Sequence, residues 1–491
     1  MKKFLAMLMA GVMLCGVLTG CGGGKKTSQQ MEDPNTVPED PYEIQWYLMV
    51  DAQNDVASVE EALNAYLKDK INATVKMNCL PSSQYTQKVG TMINAGEYFD
   101  LAFVARWALS YIDNSRSGAF FDMTDYLDTY MKDATETIGK DNLKYSYVDG
   151  HLYALPVYKE MATQYGWIYR KDIAEKYNID MTKYKSFKEL EPVLKMVQEK
   201  EPDMKYPIDW AYGSGAPDSL VMSSNYIFID GSHDNKPVNV YATDEYKEAY
   251  EVARDFYNKG YIRPDVLTAT DQVARMNEGK TFVMMQPIKP GKAQELFKGS
   301  KYEFDQAEIT EPRIDYLAGT GSMQAISATS KNPARVMRFL NLLNTDPYVK
   351  NLVIHGIEGK HYNKIDDKTV QPIEGSGYSL YSNSWTIGNV FLDYLLPTDN
   401  PNKYEQLKAF NDRAKDSDVN AFLLKEITDS NRKQRRIEID NAVKNYAKQL
   451  SVGAVDVEPT LNEFLDVLNK AGLEDELKEI DKEYSEYLKT K

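Results

Sequence analysis

The sequence IQWYLMV at residues 44–50, followed by the polar run Asp51-Ala52-Gln53, begins the stretch that decides the fold. Apolar residues then recur at helical spacing, and residues 73–77 alternate apolar and polar side chains as a strand does. A second helical pattern ends before Gly96, and residues 99–104 form a third apolar run. Strand, helix, strand, helix and strand in this order predict a mostly parallel sheet and an α/β architecture.

The same alternation continues through the middle of the chain, and the end of the chain differs from it. Ser186 and Glu189 form a capping box at the start of one predicted helix, and Asn332-Pro333 starts another. Beyond residue 432, apolar residues recur at spacings of three and four until the chain ends. We therefore expect residues 433–491 to form a helical C-terminal region.

The N-terminus has the pattern of a bacterial lipoprotein signal peptide. Two lysines precede an apolar run over residues 4–18, and Leu18-Thr19-Gly20-Cys21 closes it. The run is shorter than the ~20 residues that span a bilayer. We expect residues 1–20 to be cleaved off and lipid on Cys21 to hold the protein at the outer face of the bacterial cytoplasmic membrane. Residues 21–41 are rich in Gly, Ser, Gln and Pro, which predicts a flexible tether.

The composition limits the classes of function. The chain has 58 basic and 73 acidic residues, a net charge of −15, which argues against nucleic acid as a partner because phosphate binding needs clustered Lys and Arg. Cys15 leaves with the signal peptide, Cys21 is lipidated and Cys79 remains alone, so we expect neither an internal disulfide nor a cysteine-based zinc site. Tyrosine is abundant, at 35 residues, and its flat ring with a hydroxyl suits amphipathic ligands such as sugars.

The common catalytic and cofactor signatures are missing from the sequence. It contains no G-x-x-x-x-G-K-[ST], no H-E-x-x-H, no G-x-S-x-G and no G-x-G-x-x-G after a strand. Only four histidines are present, so a general base or an imidazole metal site has few candidates. We therefore expect no catalytic residues, no metal and no cofactor. A carboxylate pair for glycoside hydrolysis stays open, because 73 acidic residues offer many pairs.

Several segments, taken in their order along the chain, resemble the family 1 extracellular solute-binding proteins that serve ABC importers. They are NAGEYFD at 94–100, DGHLYALP at 149–156, WIYRKD at 167–172 and SMQAISATSKNP at 322–333. Two further segments, GIEGKHY at 356–362 and residues 451–490, resemble the subgroup that carries a C-terminal domain of unassigned function. The resemblance covers nearly the whole mature chain.

The resemblance implies a two-lobed, type II periplasmic-binding-protein-like fold whose lobes close about a hinge of crossing strands. The crossings are expected near residues 153–157 and 322–326. The implied boundaries are 42–153 with 326–370 for the first lobe, and 154–325 with 371–432 for the second. Closure desolvates a ligand's polar groups only where the protein supplies partners, and the closed shape is what a permease can recognise.

Candidate ligand residues follow from the strand ends that would face the cleft. They offer hydrogen bonds to hydroxyls, or aromatic faces on which sugar rings stack. The candidates are Asp51, Gln53, Arg106, Trp107, Tyr158, Trp167, Trp210 and Trp385. The alternative interpretation is that these tryptophans are core contacts and that Asp51 and Arg106 form a structural ion pair. Trp46 lies within a predicted strand, so we expect it in the core.

The implied function is that of a lipid-anchored extracellular solute-binding protein, which captures a solute and delivers it to the permease chains of an ABC importer. An oligosaccharide is the expected cargo, and a peptide is the alternative. We expect a monomer without enzymatic activity. Two other functions stay open: a surface glycoside hydrolase, and a glycan-binding adhesion or sensing module without transport.

Overall fold

The computed structural model describes residues 31–210, 222–224, 227–228, 236–314, 316–416 and 427–489 of the 491-residue chain. The signal peptide, Cys21 and residues 22–30 of the predicted tether lie outside the described residues. In the part of the chain that is described, no helix is both long enough and apolar enough to cross a membrane.

The strands within these ranges are two to eight residues long. They are β1 (Tyr42–Met49), β2 (Ala73–Leu80), β3 (Leu101–Val104), β4 (Ala154–Pro156), β5 (Gln164–Arg170), β6 (Ile208–Asp209), β7 (Met222–Ser224), β8 (Ile227–Phe228), β9 (Val238–Asn239), β10 (Val283–Ile288), β11 (Phe304–Glu308), β12 (Arg313–Ile314), β13 (Met323–Ile326), β14 (Tyr362–Lys364), β15 (Val370–Pro372) and β16 (Lys415–Asp416).

Helices connect these strands and form the end of the chain. They are α1 (Val56–Ile71), α2 (Ser82–Ala95), α3 (Tyr111–Arg116), α4 (Leu127–Tyr130), α5 (Lys132–Ile138), α6 (Lys140–Leu143), α7 (Lys171–Lys176), α8 (Phe187–Lys200), α9 (Asp244–Asn258), α10 (Gln272–Asn277), α11 (Lys292–Leu296), α12 (Tyr316–Gly319), α13 (Pro333–Thr345), α14 (Pro347–His355), α15 (Lys403–Arg413), α16 (Ser430–Ser451), α17 (Val457–Lys470) and α18 (Leu473–Leu488).

The first lobe is built on a five-stranded sheet in the order β2-β1-β3-β13-β4. β1 runs parallel to β2 and to β3, which confirms the predicted parallel arrangement, while β13 is antiparallel to β3 and β4. Helices α1 and α2 return the chain to the same edge of the sheet, as parallel pairing requires. Trp46 is fully buried, as expected, and meets the ring of Phe339 edge-on with centroids 5.4 Å apart.

The second lobe has a four-stranded sheet in the order β11-β5-β10-β6. β5 pairs antiparallel with both β10 and β11, and β10 runs parallel to β6. Buried apolar side chains of α8 and α9 cover this sheet. The lobe is therefore a separate α/β unit with its own core, as the two-lobed fold requires.

The C-terminal region consists of the helices α16, α17 and α18, which confirms the predicted helical end. Its core cluster includes Tyr246 and Tyr250 of α9, so the region packs against the second lobe. At the junction, a Cβ atom on Gly453 would lie 2.2 Å from the carbonyl oxygen of Ala253. Only a glycine allows the two backbones to approach this closely.

Crossing segments join the lobes beyond the ends of β4 and β13. The backbone N–H of Val157 donates to the carbonyl of Ser322 at 3.0 Å, and that of Tyr158 donates to Gly388 at 3.1 Å. Farther along, Thr163 and Arg313 exchange two backbone hydrogen bonds, at 2.8 and 2.9 Å. Three stretches of chain thus run side by side between the sheets, which is the expected hinge arrangement.

The structure moves several of the expected boundaries. Residues 154–156 and 323–325, assigned to the second lobe, are strands of the first sheet, so the crossings begin just beyond them. The expected second lobe also includes residues 371–432. The side chains of Tyr378, Leu380 and Ile387 are nevertheless buried in the first lobe's core, because the preceding helix α14 packs there. The early part of that stretch therefore belongs to the first lobe.

The predicted tether also ends earlier than residue 41. Met31 packs against the core of the first lobe, and the carboxylate of Glu32 pairs with the buried guanidinium of Arg335 at 2.6 Å. The fork of that guanidinium also donates to the carbonyl oxygens of Asp40 and Asn72. Residues 31–41 are therefore held on the first lobe, since a buried arginine needs these acceptors.

Candidate functional site

The carboxyl end of β3 marks the edge of the first sheet at which the chain crosses between the lobes. Val104 lies in register with Met323, which lies in register with Pro156. β1 ends at the same edge, because it runs parallel to β3 with Tyr47 opposite Ala102. The loops after β1 and β3 therefore flank the crossing segments, where open α/β sheets bind their ligands.

Two indole rings form an aromatic surface at this edge. The ring centroids of Trp107 and Trp385 are 6.1 Å apart with planes inclined by 33°, and Trp107 is 51% exposed. The ring of Phe103 packs against both, at 5.7 and 5.9 Å. The indole N–H of Trp107 donates to the carbonyl of Gly321 at 2.9 Å, and the carbonyl of Trp385 accepts from Ser322 Oγ at 2.6 Å. These contacts hold an exposed aromatic face in a fixed position.

The loop after β1 brings hydrogen-bonding groups to the same edge. Asp51 is exposed and Gln53 is half-buried. Gln53 Nε2 donates to the carbonyl of Asp51 at 3.1 Å, while Gln53 Oε1 accepts from the backbone N–H of Ser379 at 2.9 Å. The exposed Asp51 carboxylate and the second amide hydrogen of Gln53 are thus the groups that this loop can offer to ligand hydroxyls.

Arg106 and Tyr158 lie at the crossing itself. Arg106 is exposed, and its backbone N–H donates to the carbonyl of Thr320 at 2.9 Å. The Tyr158 ring is half-buried and lies 4.7 Å from the ring of Phe391. Burial, aided by the charge of Asp412, raises the pKa of Tyr158. The edge therefore brings together six of the eight candidates.

The other two candidates, Trp167 and Trp210, are core residues, and the prediction that they contact ligand is wrong. Trp167 is fully buried, and its indole N–H donates to the carbonyl of Tyr184 at 2.8 Å. Trp210 is buried against the ring of Phe187, and its N–H donates to the carbonyl of Ser451 at 2.8 Å. A ring that is enclosed and already hydrogen-bonded presents no face to a ligand.

A charged cluster near the hinge consists of residues that are not among the candidates predicted from the sequence. Glu160 lies 2.7 Å from Lys159 and 3.4 Å from Lys289, and Lys289 also pairs with Glu295 at 3.1 Å. Burial alone would raise the pKa of Glu160, but the charges of the two lysines outweigh burial and lower the pKa to about 2. The sequence signal was the adjacent Lys159-Glu160 pair directly after Tyr158, in the crossing segment.

Neither this cluster nor the aromatic edge has the composition of a metal centre. Among the described residues, no group of three His, Cys, Asp or Glu side chains could hold a metal ion. What the edge offers is an apolar ring face beside hydrogen-bonding groups, between two lobes that share a hinge. This arrangement suits reversible binding of a ligand that has both C–H faces and hydroxyls.

Comparison with known families gives two matches along the chain. Residues 52–350 match the family described as bacterial extracellular solute-binding protein. Residues 429–489 match a domain of unknown function (DUF3502), and these are the residues of the C-terminal helices. Together the matches cover most of both lobes and the helical end.

Individual relatives extend the similarity over the full length. A carbohydrate ABC transporter substrate-binding protein of Streptococcus pneumoniae serotype 4 is 29% identical, over 99% of this chain and 96% of the relative. Lipoprotein LipO of Bacillus subtilis is 23% identical, over 77% of each chain.

Among solved structures, the N-glycan transport solute binding protein (NgtS) of Streptococcus pneumoniae is 26% identical. Its structure superposes with a TM-score of 0.81, covering 92% of this chain and 99% of that one. For its complex with Man5GlcNAc, the TM-score is 0.68 at the same coverage.

Proposed function

The chain belongs to the bacterial extracellular solute-binding protein family, and we propose that it captures an oligosaccharide between its lobes and delivers it to the permease of an ABC importer. The observation that carries this proposal is the half-exposed ring of Trp107, backed by Trp385 and Phe103 at the edge where the lobes join. Sugar rings present C–H faces that stack on indole, and a supported ring provides that surface with little loss of conformational freedom.

Hydrogen-bonding groups beside the rings support a sugar over an apolar ligand. Asp51 and Gln53 can bond the hydroxyls at the rim of a stacked sugar, and Arg106 adds donors from the next loop. The relative that binds Man5GlcNAc supports the same class of cargo. That complex superposes on this chain with a lower TM-score, 0.68, than the other NgtS structure, at 0.81. The difference is consistent with lobes that move when ligand binds.

The proposed activity is binding and release, without a covalent step. Closure would place the ligand against the groups of both lobes, and the permease would recognise the closed form. We also propose that lipid on Cys21 anchors the protein outside the cytoplasmic membrane, as the lipoprotein signal indicates. Because residues 31–41 are held on the first lobe, residues 21–30 would form the link to the lipid.

The test is calorimetry and thermal unfolding of residues 27–491 with Man5GlcNAc, Man1GlcNAc, plant oligosaccharides and short peptides. A ligand present at a hundred times its Kd should stabilise the fold by about 2.7 kcal/mol. The expected result is saturable binding of an oligosaccharide that mass spectrometry shows to be intact afterwards. Binding of peptides alone would refute the cargo, and cleaved glycan would indicate a hydrolase instead.

A second measurement separates transport from adhesion or sensing. Uptake of the bound oligosaccharide, labelled with a fluorophore or an isotope, is compared in cells with and without the gene for this chain. Loss of uptake is the expected result. Unchanged uptake by cells lacking the protein would contradict delivery to an importer, and would favour a glycan-binding surface module.

A further inference from the structure

The segment GIEGKHY at residues 356–362 encloses a buried imidazole in the first lobe. His361 is 1% exposed, and its Nδ1 accepts a hydrogen bond of 2.8 Å from the backbone N–H of Ile357. A Cβ atom on Gly356 would lie 2.4 Å from that same nitrogen, and Gly356 has a φ of +80°. The ring can occupy this place because residue 356 is a glycine.

The other side of the imidazole reaches the loop that follows β1. His361 Nε2 lies 2.8 Å from Asp55 Oδ2, and Lys360 Nζ lies 2.6 Å from the same oxygen. Because Nδ1 accepts from Ile357, the ring proton is on Nε2 and is donated to Asp55. The hydrogen bonds from Lys360, Ser58 and His361 hold the pKa of Asp55 well below its usual range, so the carboxylate is ionised at neutral pH.

The Asp55 carboxylate does not cap the helix that it precedes. Asp55 stands at the N-cap position of α1, where a carboxylate commonly accepts backbone N–H groups of the first turn. It makes no such bond here. Its oxygens instead accept from His361, Lys360 and the hydroxyl of Ser58, the last at 2.7 Å. The side chain is therefore committed to the segment 356–362.

Two more contacts tie the same loop to the chain beyond this segment. The backbone N–H of Asp55 donates to the carbonyl of Gly377 at 3.1 Å, and Ser379 donates to the side-chain oxygen of Gln53 at 2.9 Å. Tyr378 lies between Gly377 and Ser379 in the sequence, and the centroid of its ring is 5.6 Å from that of His361. Gln53 and Asp55 of the loop 51–55 are thus both held by residues 356–379.

We propose that residues 356–379 form a clamp that positions the loop 51–55 for ligand binding, with His361 and Asp55 as its positioning residues. The inference rests on the proposed function, because it assigns the clamp a part in presenting Asp51 and Gln53 to a sugar. A loop fixed in advance loses less conformational freedom when ligand binds, so its hydrogen bonds contribute more to affinity.

The first experiment needs no ligand. Hydrogen exchange of residues 51–58 is measured by mass spectrometry in the wild type, His361→Gln and Asp55→Asn. His151→Gln is the matched control, because His151 pairs with Asp122 at 2.7 Å in the same lobe but lies outside the clamp. We expect exchange of this loop to be at least tenfold faster in both clamp variants and unchanged in the control. Unchanged exchange in the clamp variants, or faster exchange throughout the first lobe, would overturn the proposal.

The second experiment asks whether the clamp acts through Gln53. The Kd for Man5GlcNAc is measured for the wild type, Gln53→Ala, His361→Gln and the double variant. We expect Gln53→Ala to weaken binding about tenfold in the wild type, a change of about 1.4 kcal/mol. When His361 is already replaced, we expect the same substitution to weaken binding less than about threefold. Equal effects in both backgrounds would mean that His361 has only a structural role. If the wild type binds no glycan, the proposed function fails, and the exchange experiment still decides whether the clamp exists.

Discussion

The indole N–H of Trp210 donates a hydrogen bond of 2.8 Å to the carbonyl of Ser451, the last residue of α16. Trp210 directly follows β6 in the sheet of the second lobe. A single buried bond thus joins the end of a sheet strand to the C-terminal region. That region also buries Tyr246 and Tyr250, so the domain of unknown function is part of the second lobe's packing.

We predict that Trp210→Phe loosens this junction without weakening ligand binding. Losing the buried hydrogen bond and part of the ring should lower the free energy of unfolding by about 1–3 kcal/mol. Trp167→Phe is the control, because it loses an equivalent bond to Tyr184 within the lobe. Urea unfolding should show both losses, while hydrogen exchange in residues 430–451 should rise only for Trp210→Phe. A large loss of glycan affinity in either variant, with the fold intact, would show that the replaced tryptophan contributes to the binding site.

Trp107→Ala is predicted to weaken oligosaccharide binding about tenfold or more, because a stacked sugar loses roughly 60 Å² of apolar contact, worth about 1.5 kcal/mol. The free energy of unfolding should fall modestly, by about 1 kcal/mol, because the variant also loses the hydrogen bond to Gly321. Tyr348→Ala is the matched control: Tyr348 is also 51% exposed, but it lies on α14 against Tyr66. Calorimetry should show wild-type affinity for the control. If Trp107→Ala binds the oligosaccharide as tightly as the wild type does, the aromatic surface is not part of the binding site.

The sequence predicts the start of the fold well because its signals are local. The alternation in residues 73–77 and the helical spacing before it are patterns among residues close in sequence. The structure has β1, α1 and β2 where these patterns predict them. The edge of the sheet was also predictable, since parallel strands end together. Asp51, Gln53, Arg106 and Trp107 could therefore be placed there from strand ends alone.

What could not be predicted depends on contacts that are distant in sequence. His361 and Asp55 are 306 positions apart, and no local pattern shows that one is hydrogen-bonded to the other. Trp210 follows a strand as Trp107 does, and only the packing of Phe187 and the C-terminal helices makes it a core residue. The lobe boundaries were misplaced for the same reason, because Tyr378 and Leu380 pack on α14.

Two glycines of the segment 356–362 should respond differently to alanine. Both have positive φ, +80° at Gly356 and +76° at Gly359, so each alanine introduces backbone strain, and the strain is greater at Gly356, whose ψ of −144° places it in a region that glycine alone readily adopts. Only at Gly356 would the new Cβ meet a neighbour, the Nδ1 of His361 at 2.4 Å, while nothing lies within 4 Å at Gly359. We expect Gly356→Ala to lower the free energy of unfolding by at least ~3 kcal/mol in urea. Equal losses for the two variants would show that the imidazole moves aside freely.

The last prediction concerns Glu160 in the crossing segment. Its pKa of about 2 in the folded protein lies below the ordinary value of 4.5, since Lys159 and Lys289 stabilise the carboxylate more than burial opposes it. A carboxyl group with a lowered folded pKa stabilises the fold fully above the unfolded pKa, and this contribution is lost as pH falls from about 4.5 to about 2. Its size at neutral pH is about 3 kcal/mol, at 1.36 kcal/mol for each unit.

Glu160→Gln should therefore be less stable than the wild type at pH 7, and the difference should shrink steadily between pH 4.5 and pH 2.5. Urea midpoints measured across this range test it. Glu136→Gln is the control, because Glu136 pairs with Lys132 at 3.9 Å on an exposed helix face, where an ion pair contributes little. A difference for Glu160→Gln that stays constant with pH would mean that the two lysines do not stabilise the carboxylate. Because Tyr158 and Glu160 share the crossing segment, a confirmed result would make acidification a direct way to weaken the hinge.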